Sequence, residues 1–408
     1  MASTSASKPP PPSPTHILRT HGAAIKALEV SDDNEKIYSG DADGTVVVTD
    51  TRTLRPVAVW KAHTDGLLGV QEWEGHIITH GRDNKLHVWQ CVQEPAAALR
   101  NSAAPLGLQT PQLCYSMDVN ALNYCRFSLM PLAESARSEE RRAFIAVPNL
   151  VESSFADIWT LPSRNRLHAA IGKTGQMEGP SGDGRGMNST GIIMAMHLYE
   201  ATHPHASDRT SLRLLCGYEN GAVTCWGYTR TDKETSIEGI GWEPLWNVRL
   251  HVESVMAMTV SRDNSFALTV SADHLIGRYD IKSIEEDKAD ARDVCTAHRT
   301  KHPGNASIDI RDDSRICAVA YTPRIRLYSA KSLKSLGTLE CHKKSCQAVA
   351  FARPHAPSVT EGSRIPDEAD DDMDEDEKAE RGRWLSAGGQ DQRVSLWTLM
   401  DFGGWRAR

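Results

Sequence analysis

No stretch of the 408 residues approaches the ~18 consecutive apolar residues of a membrane helix; the longest apolar run, around Gly191–Met196, is far shorter. The opening MASTSASKPPPPSP lacks the apolar centre of a secretory signal. Nine cysteines are scattered, odd in number and never spaced as CxxC, so neither a disulfide framework nor a zinc ribbon is expected. A basic stripe is missing too, which argues against direct nucleic-acid contact. These absences point to a soluble chain of a reducing compartment, with no membrane contact. At 408 residues it exceeds the ~250–300 that one ordinary core supports, so several domains or a repeat are required.

Charge is concentrated in one place. The segment PDEADDDMDEDEKAE, ending at Glu380, carries ten acids against Lys378. The formal charge of −7 therefore leaves the remainder near neutral. Such a run reads first as a solvated, disordered loop, and second as a docking site for a basic partner such as a histone tail.

A repeat organises the rest. Five twelve-residue windows align without gaps: SGDADGTVVVTD (39–50), THGRDNKLHVWQ (79–90), CGYENGAVTCWG (216–227), TVSADHLIGRYD (269–280) and AGGQDQRVSLWT (387–398). Each places Asp43, Asp83, Asn220, Asp273 or Asp391 six residues before a column holding Thr49, Trp89, Trp226, Tyr279 or Trp397. Two looser copies bring Trp159 and Tyr328 into that column, for seven in all. Within a copy, a short apolar run, a Gly/Asp/Asn turn and a period-two return mark a β-hairpin. His21, His63, His251 and His342 precede four of the copies, and the spacing predicts one four-stranded sheet per unit.

These columns resemble the WD-repeat family, whose fold is an all-β propeller, here with seven blades. The resemblance implies a His–Ser/Thr–Asp–Trp network fastening each blade. The second unit has the full set, His63, Thr79, Asp83 and Trp89. The first has His21, Ser39 and Asp43 with Thr49 in the aromatic column, and the fifth has His251, Thr269 and Asp273 with Tyr279. The seventh, with His342, Asp391 and Trp397, has Ala387 where Ser or Thr belongs, so its network is expected to be incomplete. The sixth, with Tyr-Thr-Pro-Arg at 321–324, is expected to have an irregular hairpin. Thr15–Thr20 stands before His21 as Leu336–Cys341 stands before His342, so it should supply the outer strand of the last blade, against Val394–Thr398. The expected organisation is a disordered Pro-rich leader (1–13), a propeller (14–400) with insertions at 93–113, 132–142, 172–188 and 354–382, and a tail (401–408).

Catalytic patterns fail on inspection. Gly172-Lys173-Thr174 lacks the earlier glycine of a phosphate loop, since Leu167 stands there, and no nucleophile elbow is formed at Gly179–Asp183. His203/His205, His298/His302 and Cys341-His342 with Cys346 lack ligand partners at useful spacing. No enzyme activity, cofactor or metal is expected.

A more specific likeness runs through LRTHGAAIKAL, IITHGRDNKLHVWQ, LLCGYENGAVTCW, KHPGNASIDIRDDSRICAVA and HKKSCQAVAFA. These stretches resemble the fungal ASTRA-associated protein 1 family, whose animal relatives are called G-protein beta-subunit-like proteins. The resemblance implies a scaffold in the nuclear ASTRA assembly, alongside the telomere-length-regulation co-chaperone trimer, RuvB-like ATPases and a giant pseudokinase. It also implies links to chromatin remodelling and to maturation of phosphatidylinositol-3-kinase-related kinases. Arg82, Asn84 and Lys85, on the turn of the second unit, are the expected partner contacts. The competing reading is a substrate receptor of a cullin ubiquitin ligase, which would carry Trp-Asp-x-Arg where this chain has Thr49-Asp50-Thr51-Arg52.

Overall fold

The computed structural model describes residues 12–92, 108–132, 141–173, 190–203, 206–285, 289–302, 304, 306–354 and 375–400. Its strands form seven four-stranded antiparallel sheets, the blades of one propeller. From the inside outward, the first blade is Ile25–Val30, Lys36–Asp41, Thr45–Asp50 and Pro56–Lys61. The second is Leu67–Trp73, His76–Gly81, Lys85–Gln90 and Leu113–Asp118, and the third is Ser128–Pro131, Ala143–Pro148, Ala156–Leu161 and Arg166–Ile171. In the fourth, Ile193–His203 and Ala206–Tyr218 form a long hairpin beside Ala222–Tyr228 and Trp242–Arg249. The fifth is Val255–Val260, Ala267–Ser271, Leu275–Tyr279 and Thr296–Arg299, and the sixth is Ser307–Ile310, Ile316–Ala320, Arg324–Ser329 and Ser335–Glu340.

The seventh blade joins the two ends of the described chain. Cys346–Phe351, Trp384–Gly389 and Val394–Thr398 are completed by His16–Leu18, with Ile17 opposite Ser395. This strand covers the edge of Val394–Thr398 and leaves only its own three residues as the outer edge of the last sheet, a short edge of the kind propellers retain.

Sandwiching explains why the middle strands read as apolar runs rather than as an alternation. A blade is covered on both faces by its neighbours, so Val46, Val47 and Val48 are all buried, as are Leu214, Leu215 and Cys216. Outer strands such as Trp242–Arg249 alternate buried and exposed residues, because their outer side meets solvent. The buried apolar residues fall into seven clusters, each straddling two adjacent blades. One packs Ile25, Leu28 and Ile37 against Ala348, Ala350, Trp384 and Leu396, with Leu18 added from the closing strand. Glycine is needed where a neighbour's first residue enters. A Cβ on Gly388 would lie 2.4 Å from Ile25 Cγ2, and one on Gly40 would lie 2.7 Å from Leu67 Cγ.

Two expectations require correction. The hairpin at Tyr321–Arg324 is tight rather than irregular. The Tyr321 and Arg324 amides each donate to the other's carbonyl, at 2.9 and 2.7 Å, around a cis Thr322–Pro323 bond. Proline in cis at the third position makes a two-residue reversal of its own type, which the Gly/Asp pattern does not include. The acidic run, expected to be loop throughout, ends as a helix over Glu375–Arg381. That helix brings the buried Arg381 to a small cavity that Asn34, Thr51 and Trp384 also line. The leader (1–11), most of the three other insertions, residues 355–374 and the tail (401–408) lie outside the described residues.

Deleting residues 1–18 should cost about 3 kcal/mol or more, from the lost strand hydrogen bonds and the buried Leu18. Deleting only residues 1–11 should leave the denaturation midpoint unchanged. Urea titration of both truncations checks this.

Candidate functional site

The turns between second and third strands share one face of the ring with the loops that lead into each next blade. Loops between first and second strands emerge on the other, where Arg353, at the root of the acidic insertion, also lies. The first face is frozen by buried polar groups. In the second blade the Thr64 amide donates to Asp83 Oδ2 at 2.9 Å and His63 Nδ1 lies 2.9 Å from Asp83 Oδ1. A carboxylate only accepts, so Nδ1 carries the proton and Nε2 accepts from Thr79 Oγ1 at 2.8 Å. The same hydroxyl oxygen accepts the Trp89 indole N–H at 2.9 Å. Burial pushes the His63 pKa down, with Asp83 opposing, so the ring is neutral. Burial would raise Asp83, but the Thr64 amide and His63 bring it below the usual range.

The fifth blade repeats this arrangement with His251 Nε2 2.7 Å from Thr269 Oγ1, Nδ1 3.1 Å from Asp273, and the Val252 amide on Asp273. Tyr279, in the indole's column, stacks on Trp246 at 6.0 Å.

The first and seventh blades depart from the sequence columns. His21 reaches Ser39 at 2.8 Å, but its carboxylate partner is Asp41, at 2.9 Å, not Asp43. The reason lies at the last position of the second strand. In blades two and seven it is Gly81 or Gly389, because a Cβ there would strike the imidazole of His63 or His342. In blade one this position is Asp41, whose carboxylate takes the space beside Nδ1 and accepts from the Asp43 and Thr45 amides. Asp43 is left exposed. Nor is the seventh network incomplete. His342 Nδ1 lies 2.8 Å from Asp391, while its Nε2 and the Trp397 indole each lie 2.9 Å from Ser395 Oγ. Ser395 stands opposite Ala387 across the strand pair, so the hydroxyl has moved to the adjacent strand.

In the third blade asparagine replaces histidine, which the repeat columns gave no means of finding. Asn120 Nδ2 donates to the Asn149 carbonyl at 2.9 Å and to Ser153 Oγ at 3.0 Å. Asn123 Nδ2 donates to the carbonyls of Ser153 and Ile193. Asn149 Nδ2 in turn donates to the buried Asp157 at 2.8 Å. In the fourth blade the Trp226 indole donates to Tyr218 Oη at 3.0 Å, and Asn220 caps its own turn at Ala222.

The three residues expected to contact partners, Arg82, Asn84 and Lys85, are all exposed, and each has its own neighbour. Asn84, exposed and at φ +61°, accepts from the Ala121 amide through its side-chain oxygen. Lys85 pairs with Asp118 in solvent, a contact worth ~0–1 kcal/mol. Arg82, also exposed, lies over the Tyr124 ring at 4.5 Å.

His63, Asp83 and His87 are close enough to suggest a metal centre. Both His63 nitrogens are already engaged, its ring stacks on His87 at 4.6 Å, and His87 Nδ1 lies 2.7 Å from Ser116 Oγ. His298 and His302 turn to different aromatic partners, Tyr328 and Tyr321. On the opposite face, at the mouth of the central channel, lies a bowl of about 980 Å³ lined by Glu29, Asp32, Glu72, His197, Arg262 and Arg353. Arg353, at the root of the acidic insertion, bonds Asp32 at 2.9 Å and Asp312 at 2.7 Å. Burial lifts Glu29 to about 7, with Arg126 and Arg353 opposing.

A model of the WD domain, G-beta repeat matches residues 12–50. Over 97% of this chain, the ASTRA-associated protein 1 of Pyricularia oryzae is 32% identical and is covered along its whole length. That of Verticillium alfalfae is 31% identical, again over 97% of this chain and 95% of its own. The chain belongs to the ASTRA-associated protein 1 family. The likeness extends to the Schizosaccharomyces pombe member, 26% identical over 83% of this chain and 93% of that one. Family membership and the WD propeller together make this chain a WD-repeat scaffold of the ASTRA type.

Asp41→Ala should cost about 1–3 kcal/mol, because His21 loses its acceptor, whereas Asp43→Ala should change stability by less than ~0.5 kcal/mol. Ser395→Ala should be similarly costly, and adding Ala387→Ser should recover most of the loss; denaturant melts of the four variants decide. Because the folded pKa of Glu29 is raised, its contribution is present below the carboxylate range and lost as pH rises through about 7. Glu29→Gln should therefore gain on wild type by about 2–3 kcal/mol between pH 5 and pH 8, measured as a difference of midpoints. A pH-independent difference contradicts it.

Proposed function

We propose that this chain is a non-catalytic scaffold subunit of the nuclear ASTRA assembly. In that role it holds the telomere-length-regulation co-chaperone trimer, the RuvB-like ATPases and the pseudokinase subunit in one particle. The particle serves chromatin remodelling and the maturation of phosphatidylinositol-3-kinase-related kinases. The observation that carries the reading is end-to-end similarity to proteins named ASTRA-associated, over 97% of this chain in two fungi. The geometry supports it: the residues most suggestive of chemistry, His63, Asp83, His251 and Asp273, are spent on bonds within the fold. Propellers of this kind present rigid loops to partners, and fold alone would not specify which. The acid-rich bowl, reached by Arg353 at the root of the acidic insertion, suits a basic segment, an attraction that salt would screen.

Affinity purification of the tagged chain from its own cells, with mass spectrometry, tests this beside a deletion of residues 355–374. Both baits should recover the co-chaperone trimer and the RuvB-like ATPases, and the tagged chain should concentrate in nuclei. Loss of basic proteins from the deletion alone would assign them to the insertion. Recovery of a cullin adaptor in place of ASTRA subunits would overturn the proposal in favour of a ligase receptor.

A further inference from the structure

Among the exposed apolar side chains of the described surface, four stand on two loops that are bonded to each other. Leu122 (71% exposed) and Tyr124 (59%) stand on the loop entering the third blade, and Leu150 (48%) and Val151 (93%) stand on the turn within it. The two loops are joined by the Asn120 and Asn123 side chains, which donate to Asn149 and Ser153 of the turn. Asn120 Oδ1 also accepts the Leu122 amide, and Asn149 Oδ1 accepts the Val151 amide, each at 3.0 Å. The buried asparagines thus hold four apolar side chains outward in one arrangement, so little freedom remains to be lost on binding.

Tyr124 carries a separate sign. Its φ is +54°, a backbone region that bulky side chains seldom adopt and that asparagine or glycine would occupy at less cost. The ring is nevertheless exposed, with the Arg82 guanidinium over its face and donating to its hydroxyl at 3.0 Å. On the side toward the channel, Lys26 is close enough to Arg82 that, after burial, the guanidinium's charge lowers the Lys26 pKa. The nearest acid on the turn, Glu152, is occupied by the amide and hydroxyl of Ser154. An aromatic and an arginine among aliphatic side chains are the composition of a binding hot spot, here rimmed by positive charge.

We infer that Leu122, Tyr124, Leu150 and Val151, flanked by Arg82 and Lys26, dock an amphipathic, acid-bearing segment of another protein. The inference rests on the scaffold reading and places that segment on a neighbouring subunit of the assembly. The apolar side chains of the segment cover the aliphatic platform, and its carboxylates face Arg82 and Lys26.

The test places benzoylphenylalanine at Val151 of the full chain in its own cells, followed by photo-crosslinking and sequencing of the attached peptide. In parallel, tagged wild type, Leu122→Ser/Val151→Ser and Tyr124→Asn are purified and their melts compared. The crosslinked peptide should combine apolar residues at helical spacing with an excess of Asp and Glu. Both variants should melt at or above wild type and recover ASTRA subunits about tenfold less well. A basic peptide, a peptide from a second copy of this chain, or undiminished recovery by both variants would overturn the docking surface while leaving the scaffold reading standing. If wild type itself recovers no ASTRA subunit, the scaffold reading fails and the assignment of the segment to that assembly fails with it.

Discussion

A buried imidazole that donates to a buried carboxylate, while its other nitrogen accepts from a hydroxyl, sets the terms for this structure. Each such chain ties the loop entering a blade to the turn of that blade's central hairpin. The ties at His21, His63, His251 and His342 hold four blades in the same way. Burying these groups carries a desolvation cost, which only complete pairing offsets. Complete pairing in turn leaves those loops one geometry. The asparagine cluster of the third blade reaches the same end with neutral groups, and the loops it holds are those that display exposed apolar side chains.

Rigidity of the loops depends on the ring as well. Each hydrophobic cluster belongs to two blades, so no blade is buried until both neighbours are in place, and the last interface waits for His16–Leu18 to arrive from the other end of the chain. Close approaches such as Ile25 on Gly388 leave little room for a blade to tilt. A propeller built in this way offers partners a stiff surface, and its function depends on what that surface displays.

Much of this was legible in the residues. The spacing of His63, Thr79, Asp83 and Trp89 specifies one blade completely, and its echoes give the number of blades and the source of the closing strand. What escaped was substitution in space. A carboxylate two residues early, Asp41, reaches the same imidazole from the last position of the second strand, where blades two and seven have glycine. A hydroxyl on Ser395 serves as well as one on Ala387's position, because the two residues face each other across paired strands. Linear columns record position along one strand and miss such exchanges between strands. The cis proline turn and the asparagine cluster were hidden for a related reason, since both solve a known geometric problem with residues outside the motif. Arg82 stands out in the sequence as an expected contact, whereas Tyr124 does not, because its place beside Arg82 comes from the loop that enters the next blade.

Amide hydrogen exchange tests most directly whether the asparagine side chains freeze the loops of the second and third blades. The Val119, Ala121, Leu122, Val151 and Glu152 amides all donate to the Asn84 backbone or to the Asn84, Asn120 and Asn149 side chains. They should exchange on the slow timescale of the blade's own strands, opening only when the ring opens. Exchange of these amides at the rate of an unstructured peptide, while the neighbouring strands stay protected, would show that the loops move freely and would contradict the account.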